Sequence, residues 1–63
     1  MEWYFIFETE DGEQYAVCEA SRNLAINTLE EVIGYDVEFE LIDEFPANEF
    51  GDNLIDAMGL DVL

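Results

Sequence analysis

The sequence has almost no basic residues. Arg22 is the only one, since there is no lysine or histidine, whereas aspartate and glutamate together number 17 and give a formal net charge of −16. The charged fraction, 29%, is close to the quarter or so of an average domain. Natural surfaces normally intersperse both signs of charge. The imbalance in sign, and not the amount of charge, therefore has to be explained.

The missing residue types exclude most catalytic chemistry. Without histidine, lysine or a glycine-rich phosphate loop, the chain lacks the usual bases and activated nucleophiles. Paired carboxylates can act as acid and base in glycosidases, but with 17 acids in 63 residues such pairs arise by chance. A chain this short also has little room for a deep substrate pocket. We therefore expect no enzyme activity and no cofactor.

Cysteine and long apolar segments are also scarce. The single cysteine, Cys18, excludes an intramolecular disulfide and a cysteine-based metal site, and it fits a reducing compartment. The acids around Asp11-Gly12 lack the spacing of a calcium loop. We expect no signal or transit peptide, and the longest apolar run is residues 3–7. These features predict a soluble, cytoplasmic protein without a metal site or membrane contact.

What the chain does contain predicts a single α+β domain over residues 1–63. The hydrophobic fraction of 51% supplies a core and argues against disorder. Aromatic and β-branched residues predict strands over residues 3–7 and 14–20. Ser21 is a good N-cap for a helix that runs to residue 33, and Gly34 suits its end. A third strand is predicted over residues 36–43.

Counting outward from a two-residue Asp11-Gly12 turn fixes the register that we expect for the hairpin. It pairs large residues with small ones: Phe7 with Ala16, Phe5 with Cys18, and Trp3 with Ala20. The opposite face then holds Tyr4, Ile6 and Glu8 against Glu19, Val17 and Tyr15.

The third strand should pair antiparallel with the first, which gives the sheet order 2-1-3. The helix stripe of Ala25, Ile26, Leu29, Val32 and Ile33 then covers the face that bears Trp3, Phe5, Phe7, Val37, Phe39 and Leu41. Pro46 is expected to end the strand pattern. Asp52 is a possible N-cap for a short helix over residues 53–58, closed by Gly59. The apolar residues Leu60, Val62 and Leu63 are expected to dock on the sheet edge or on a partner.

The predicted third strand alternates its apolar residues with acids, and Glu38 and Glu40 have no basic neighbour. A compact chain of this length is roughly 27 Å across, and duplex DNA carries about 16 phosphate charges over that distance. Two explanations fit such a surface. One is adaptation to high salt, and the other is mimicry of the phosphate field of a nucleic acid.

In size, acidity and ββαβ pattern, including the stretches "EDGE" and "GYDVEFELIDEF", the chain resembles the anti-CRISPR proteins of phages and mobile elements, several of which look like DNA to their targets. The resemblance implies an inhibitor, acting in the host cytoplasm, that fills the basic nucleic-acid-binding groove of a host protein such as a CRISPR effector subunit and blocks target DNA. It implies a monomer or weak dimer that does not itself bind nucleic acid. On that hypothesis the acidic contact residues are Glu8, Glu10, Asp11, Glu13, Glu19, Asp36, Glu38, Glu40, Asp43 and Glu44, with Tyr4 and Tyr15 as anchors.

A second hypothesis belongs to a different class. The chain would be a small acidic protein–protein adaptor or a homodimeric interaction module, in which an edge strand and the C-terminal "GLDVL" pair with another chain.

The salt dependence of folding separates mimicry from salt adaptation. Screening weakens the repulsion among the carboxylates, so a mimic should be folded in dilute buffer and gain melting temperature as salt rises to moderate levels. Thermal denaturation followed by circular dichroism over a salt series measures this. Unfolding in dilute buffer would instead support salt adaptation, and a melting temperature indifferent to salt would mean that the acids are too well separated to repel.

Overall fold

The computed structural model describes residues 1–63 and has the predicted order of elements. They are β1 (Trp3–Thr9), β2 (Gln14–Glu19), α1 (Arg22–Ile33), β3 (Phe39–Pro46) and α2 (Glu49–Met58). The strands form one antiparallel sheet in the order β2-β1-β3. The prediction of an α+β fold with sheet order 2-1-3 and a short C-terminal helix is therefore confirmed.

The sheet is covered on both faces, and each face has its own small core. The α1 core consists of Phe5, Phe7, Val17, Ala25 and Leu29. The α2 core consists of Ile6, Ala16, Phe45 and Ile55, with Tyr4, Leu54 and Leu60 packed against it. Successive side chains of a strand point to opposite faces, so odd-numbered residues of β1 enter the first core and even-numbered residues enter the second.

The predicted hairpin register is wrong by one residue because the loop is longer than a two-residue turn. The Thr9 N–H donates to the Glu13 carbonyl (2.9 Å) and the Gly12 N–H to the Thr9 carbonyl (3.0 Å), which leaves residues 10–12 as a three-residue loop. Gly12 has φ +89°, the left-handed region that such loops require near their end. The Thr9 hydroxyl, itself in a buried residue, donates to the Asp11 carboxylate and fixes the loop from inside.

The observed pairs are Phe7 with Tyr15, Phe5 with Val17, and Trp3 with Glu19. A shift of one residue turns a whole strand over. The predicted pairing of large with small residues is therefore wrong, as is the assignment of β2 to the two faces. The residues that share the α1 face are Tyr15, Val17 and Glu19, and those that share the α2 face are Ala16 and Cys18.

The predicted bounds of α1 are confirmed, and its apolar stripe is narrower than expected. The Ser21 hydroxyl accepts a hydrogen bond from the Leu24 N–H (3.3 Å), and Gly34 ends the helix with φ +93°. Ala25 and Leu29 are fully buried, while Ile26 and Ile33 pack at the margin of the core. Val32 is 56% exposed and lies outside the α1 core, contrary to the prediction.

The third strand begins and ends later than predicted, and it contains a β-bulge. Asp43 is opposite Ile6 and Leu41 is opposite Phe7, so Ile42 is the extra residue. Phe39 and Leu41 pack on the α1 core as expected. Beyond the bulge the alternation is reversed, and Phe45 enters the α2 core. The prediction that Val37 lies within the strand is wrong, since β3 begins at Phe39.

Pro46 is the last residue of β3, so the strand ends at this proline as predicted. The Ala47 N–H donates to the Glu2 carbonyl (3.0 Å), so the alternation of an antiparallel ladder points the backbone of Pro46 away from β1. β3 is an edge strand, where a residue without an N–H is tolerated.

The second helix begins four residues earlier than predicted. Asn48, and not Asp52, is its N-cap, and the Asn48 side-chain oxygen accepts from the Gly51 N–H (3.0 Å). Gly59 closes the helix with φ +70°, as predicted. Among the apolar side chains of α2, that of Ile55 is the most deeply buried against the sheet.

Both edges of the sheet are obstructed. At β2, Val62 bridges Ala16 in parallel and the Leu63 N–H donates to the Ala16 carbonyl (2.9 Å), which confirms that the C-terminal residues dock on the sheet edge. At β3, the Glu44 N–H is bonded to the Asp43 carboxylate (2.9 Å), and Pro46 has no N–H to offer. Such features discourage pairing with another chain.

Gly51 provides a test of how closely α2 approaches β3. A Cβ added at Gly51 would lie 2.1 Å from the Pro46 carbonyl oxygen and 3.2 Å from the Tyr4 ring. Alanine normally stabilises a helix by about 1 kcal/mol relative to glycine. Gly51→Ala should instead lower the free energy of unfolding by about 1–3 kcal/mol, the usual cost of overpacking.

Urea denaturation followed by Trp3 fluorescence measures this change. Asn53→Ala on the exposed side of α2 is the matched control and should change stability by less than about 0.5 kcal/mol. A stabilised Gly51→Ala variant would contradict the close approach of α2 to β3.

Candidate acidic interaction surface

All the carboxylates lie at the surface, and one of them has a cationic side chain as its partner. None of the 17 acidic residues is buried; Glu8, Glu19 and Glu30 are half-buried and the others are exposed. Arg22 Nη2 lies 2.5 Å from Glu44 Oε1, and this is the one salt bridge in the molecule. The only side-chain cation is therefore used at Glu44.

Six carboxylates gather at the hairpin end of the sheet, which we call the acidic end. Glu8 is opposite Glu40 in the ladder between β1 and β3, and the Glu10 N–H donates to the Glu38 carbonyl (3.2 Å). An open depression of about 360 Å³ lies between these strands and is lined by Glu8, Thr9, Glu10, Glu38, Phe39 and Glu40. The acidic end comprises Glu8, Glu10, Asp11, Glu13, Glu38 and Glu40.

The pair of Glu8 and Glu40 is unfavourable for the fold. Like charges directly opposite each other in a sheet are destabilising. The only side-chain partner of Glu8 is the Gln14 amide, which donates to its carboxylate (3.1 Å) and carries no charge. Because the pair weakens the sheet without any cation to compensate, the fold itself gives no reason for its presence.

The other predicted acids are separated from the acidic end. Glu19 lies on the α1 face, where its carboxylate accepts from the Thr28 hydroxyl (2.8 Å), so its prediction as a residue of the solvent side is wrong. Asp43 and Glu44 lie beyond the bulge of β3, where Asp43 caps the Glu44 N–H and Glu44 binds Arg22. Asp36 lies in the turn after α1, two residues before Glu38.

The hydroxyls of the two predicted aromatic anchors both form hydrogen bonds within the protein. The Tyr4 hydroxyl donates to Asp52 (2.5 Å), and its ring packs on Phe45 with the ring centroids 5.8 Å apart. The Tyr15 hydroxyl donates to Glu13 (2.7 Å), so the Tyr15 ring adjoins the acidic end. Sequence reasoning missed Tyr35, which is 77% exposed and precedes Asp36. Its position directly after the helix-ending Gly34 is the signal that could have identified it.

The titrating groups of the α2 face give no sign of nucleophilic chemistry. Burial, the hydrogen bond to Glu2 (3.2 Å) and nearby carboxylates raise the pKa of Cys18 to about 11. The thiol is therefore protonated at neutral pH and is a poor nucleophile. The hydrogen bond to Asp52, together with burial and the Asp52 charge, raises the pKa of Tyr4 to about 12.

The density of charge is close to that of a nucleic acid. The longest dimension of the molecule is 34 Å, longer than the diameter expected from its length alone, and the radius of gyration is 11.0 Å. A B-DNA duplex of that length makes about one turn and carries about 20 phosphate charges. The net charge of −16 is therefore roughly four-fifths of that of the matching duplex.

Comparisons with protein-family models, with curated proteins and with solved structures find no significant match. No relative therefore assigns a role to any residue of the acidic end. Neither helix has the length and apolarity needed to cross a membrane. No group of three or more histidine, cysteine or acidic residues is arranged to hold a metal ion.

The contact between Tyr4 and Asp52 predicts a loss of stability in alkali. The folded-state pKa of Tyr4, about 12, lies above the value of 10.0 for a free tyrosine. The stability that this difference contributes is complete below pH 10 and is lost as the pH rises from about 10 to about 12. The ultraviolet absorbance of tyrosinate, with Tyr4→Phe to assign the signal, measures the pKa. Asp52→Asn should lower it towards 10, and an unchanged pKa in that variant would contradict the role of the carboxylate.

Proposed function

We propose that this protein is an inhibitor that presents its acidic end, in place of DNA, to the basic groove of a nucleic-acid-binding host protein. The observation that carries the proposal is the cluster of six carboxylates at one end of the sheet with no cation among them. The only arginine is bound at Glu44, outside that cluster. The unfavourable pairing of Glu8 with Glu40 is understandable if the surface is selected for binding and not for stability.

A rigid acidic surface suits such competition. Proteins that bind DNA gain much of their affinity from pairing their lysines and arginines with phosphates, with release of counterions. Carboxylates on a fixed sheet can pair with the same cations, and a field of this strength steers association and speeds it. The ladder between β1 and β3 holds Glu8 and Glu40 in place, and the backbone contact between Glu10 and Glu38 extends that order into the loop.

Aromatic side chains beside the acids supply contacts that screening by salt does not remove. Tyr15 adjoins Glu13, and Tyr35 is exposed, directly before Asp36 and three residues before Glu38 of the acidic end. Buried aromatic anchors dominate the binding energy of many interfaces. Tyr35 therefore joins Tyr15 as a proposed anchor, whereas Tyr4 is held beneath α2 by Asp52.

The resemblance to anti-CRISPR proteins suggests the target. On that basis the partner is a subunit of a CRISPR effector in the host cytoplasm, and the protein blocks the binding of target DNA without binding nucleic acid itself. The acids Asp36, Asp43 and Glu44 can extend the contact surface, and Glu19 remains a more distant candidate.

The hypothesis of a homodimer or adaptor that pairs through its edges receives less support. The backbone of the C-terminal segment is engaged with Ala16 of the same chain, and the β3 edge lacks a free donor at Glu44 and Pro46.

Reversing the charge at Glu38 and Glu40 tests the proposed contact surface. The Glu38→Lys/Glu40→Lys variant should lose inhibition by about tenfold or more, because it removes two acids from the acidic end and adds two repulsive cations. The CRISPR effector is first purified from host lysate with the protein as bait. The measurement is then the displacement of fluorescent target DNA from that effector by each variant. Inhibition should also weaken at least about tenfold between roughly 50 and 200 mM salt.

The matched control is Glu31→Lys/Asp56→Lys, which changes the net charge equally at exposed helical positions outside the acidic end. Both variants must show the circular dichroism of the original protein. Equal inhibition by the two variants would reject the acidic end as the contact surface, and recovery of a partner that does not bind nucleic acid would reject mimicry.

A further inference from the structure

The helix α2 has an exposed apolar flank that the proposed function does not use. Phe50 is 64% exposed and Met58 is 41% exposed, and Leu54 is half-buried between them. At about 100° per residue, Leu54 points to one side of the sheet-facing residue Ile55, and Phe50 and Met58 lie within about 40° of Leu54. These three residues form a continuous stripe along the helix, which we call the apolar wall.

The contacts of the opposite flank of α2 show which way the apolar wall is turned. Asp52 lies on that flank and binds Tyr4, and its charge also acts on Cys18. On β1 the α2 face runs from Tyr4 through Ile6 to Glu8, and Ile6 packs with Ile55 beneath the helix. Because Asp52 is turned towards Tyr4, the apolar wall is turned towards the hairpin end of the same face.

The sheet surface in front of the apolar wall is acidic. Glu8 and Glu40 form a cross-strand pair on the α2 face, and we call these two residues the acidic floor. The apolar wall on α2 and the acidic floor on the sheet thus belong to the same face of the protein. We call this arrangement the shelf.

We propose that the shelf is the docking site for a basic amphipathic helix of a protein partner. The proposal adds to the proposed function, on which it rests for the existence of a basic partner, and it specifies how that partner is held. Lysines and arginines on one side of the helix would pair with the acidic floor, and large apolar side chains on the other would pack on the apolar wall.

Charge complementarity selects this occupant among the alternatives. A second copy of the chain carries the same net charge of −16 and is repelled. Nucleic acids and anionic lipid surfaces are repelled for the same reason. A purely cationic chain would leave Phe50 and Met58 in water, so the occupant must combine positive charge with apolar side chains.

The occupant should be helical because the neighbouring sheet edge is a poor template for an added strand. The β3 edge has a bulge at Ile42, a Glu44 N–H already bonded to Asp43, and no N–H at Pro46. A strand added at that edge would leave backbone groups unpaired, whereas a helix satisfies its own backbone hydrogen bonds.

The test uses model peptides, so that it does not depend on knowing the partner. One peptide of about 18 lysine and leucine residues is arranged as an amphipathic helix, and a second has the same composition in a scrambled order. Binding of each fluorescent peptide is measured by anisotropy at moderate salt. Nitrogen-15 amide spectra of the protein locate the contact. We expect the amphipathic peptide to bind more tightly and to shift the amides of α2 and of residues 8 and 40.

Matched variants separate the apolar wall from general electrostatic attraction. Phe50→Ser/Met58→Gln should weaken binding of the amphipathic peptide by about tenfold or more and leave the scrambled peptide unaffected, since a tenfold change is what the loss of an interface anchor produces. The control Leu24→Gln/Val32→Ser removes apolar side chains exposed on α1 and should change affinity less than about twofold. On the acidic floor, Glu8→Gln/Glu40→Gln should weaken binding more than Glu31→Gln/Asp56→Asn does.

Several results would contradict the proposal that the shelf is a docking site. They are equal affinity for the two peptides, equal effects of the wall variant and the α1 control, or amide shifts confined to other surfaces. Sedimentation equilibrium that detects a dimer abolished by Phe50→Ser/Met58→Gln would assign the apolar wall to a second copy and also overturn the proposal. No DNA-binding protein takes part in the peptide experiment, so DNA mimicry can fail while the shelf stands, and the reverse also holds.

Discussion

The rest of the structure depends on the burial of β1 on both faces. Phe5, Ile6 and Phe7 are consecutive and no more than 2% exposed, so the central strand has no free side. One strand thereby serves two cores, one beneath α1 and one beneath α2. In a chain of 63 residues whose carboxylates repel one another, this shared burial supplies the apolar contact that opposes the repulsion.

The β-bulge at Ile42 determines where the charges of β3 can go. Strict alternation after Leu41 would direct Phe45 to the α1 face and Glu44 to the α2 face. The extra residue reverses this, so Phe45 enters the α2 core and Glu44 reaches Arg22. The only arginine is thereby engaged beyond the bulge, while the strand before it keeps Glu40 opposite Glu8. The bulge thus separates the part of β3 that binds the arginine from the part that contributes to the acidic end.

The sequence predicted what local signals determine and failed where distant contacts decide. Ser21 and Gly34 mark the ends of α1 correctly, because capping depends on the adjacent backbone. The sequence Asp11-Gly12 is compatible with both a two-residue and a three-residue loop. The hydrogen bond from the Thr9 N–H to the Glu13 carbonyl establishes the three-residue loop. Because the predicted register was wrong by one residue, Glu19 was predicted to lie on the wrong face of the sheet.

The candidate site was predictable to the same extent. Three of its acids are neighbours in the hairpin loop, and they lie close together in any register of the hairpin: Glu10, Asp11 and Glu13. The pairing of Glu8 with Glu40 depends on β3 meeting β1 above the bulge, which no pattern in the sequence announces. Tyr4 was predicted as an anchor for a partner, whereas α2, which begins at Glu49, packs over it and accepts the hydrogen bond of its hydroxyl at Asp52.

Charge alone attracts any polycation, so a specific partner has to be selected by other contacts. Backbone pairing with a partner is discouraged, since the C-terminal residues dock on the β2 edge at Ala16 and Pro46 and Asp43 obstruct part of the β3 edge. Exposed apolar side chains such as Phe50 remain as the feature that, on our proposal, selects the partner, and a net charge of −16 opposes the association of copies of the chain through them. On the proposed function the acidity therefore has two effects: it attracts a basic partner, and the repulsion between copies of the chain keeps the apolar contact surface free for that partner.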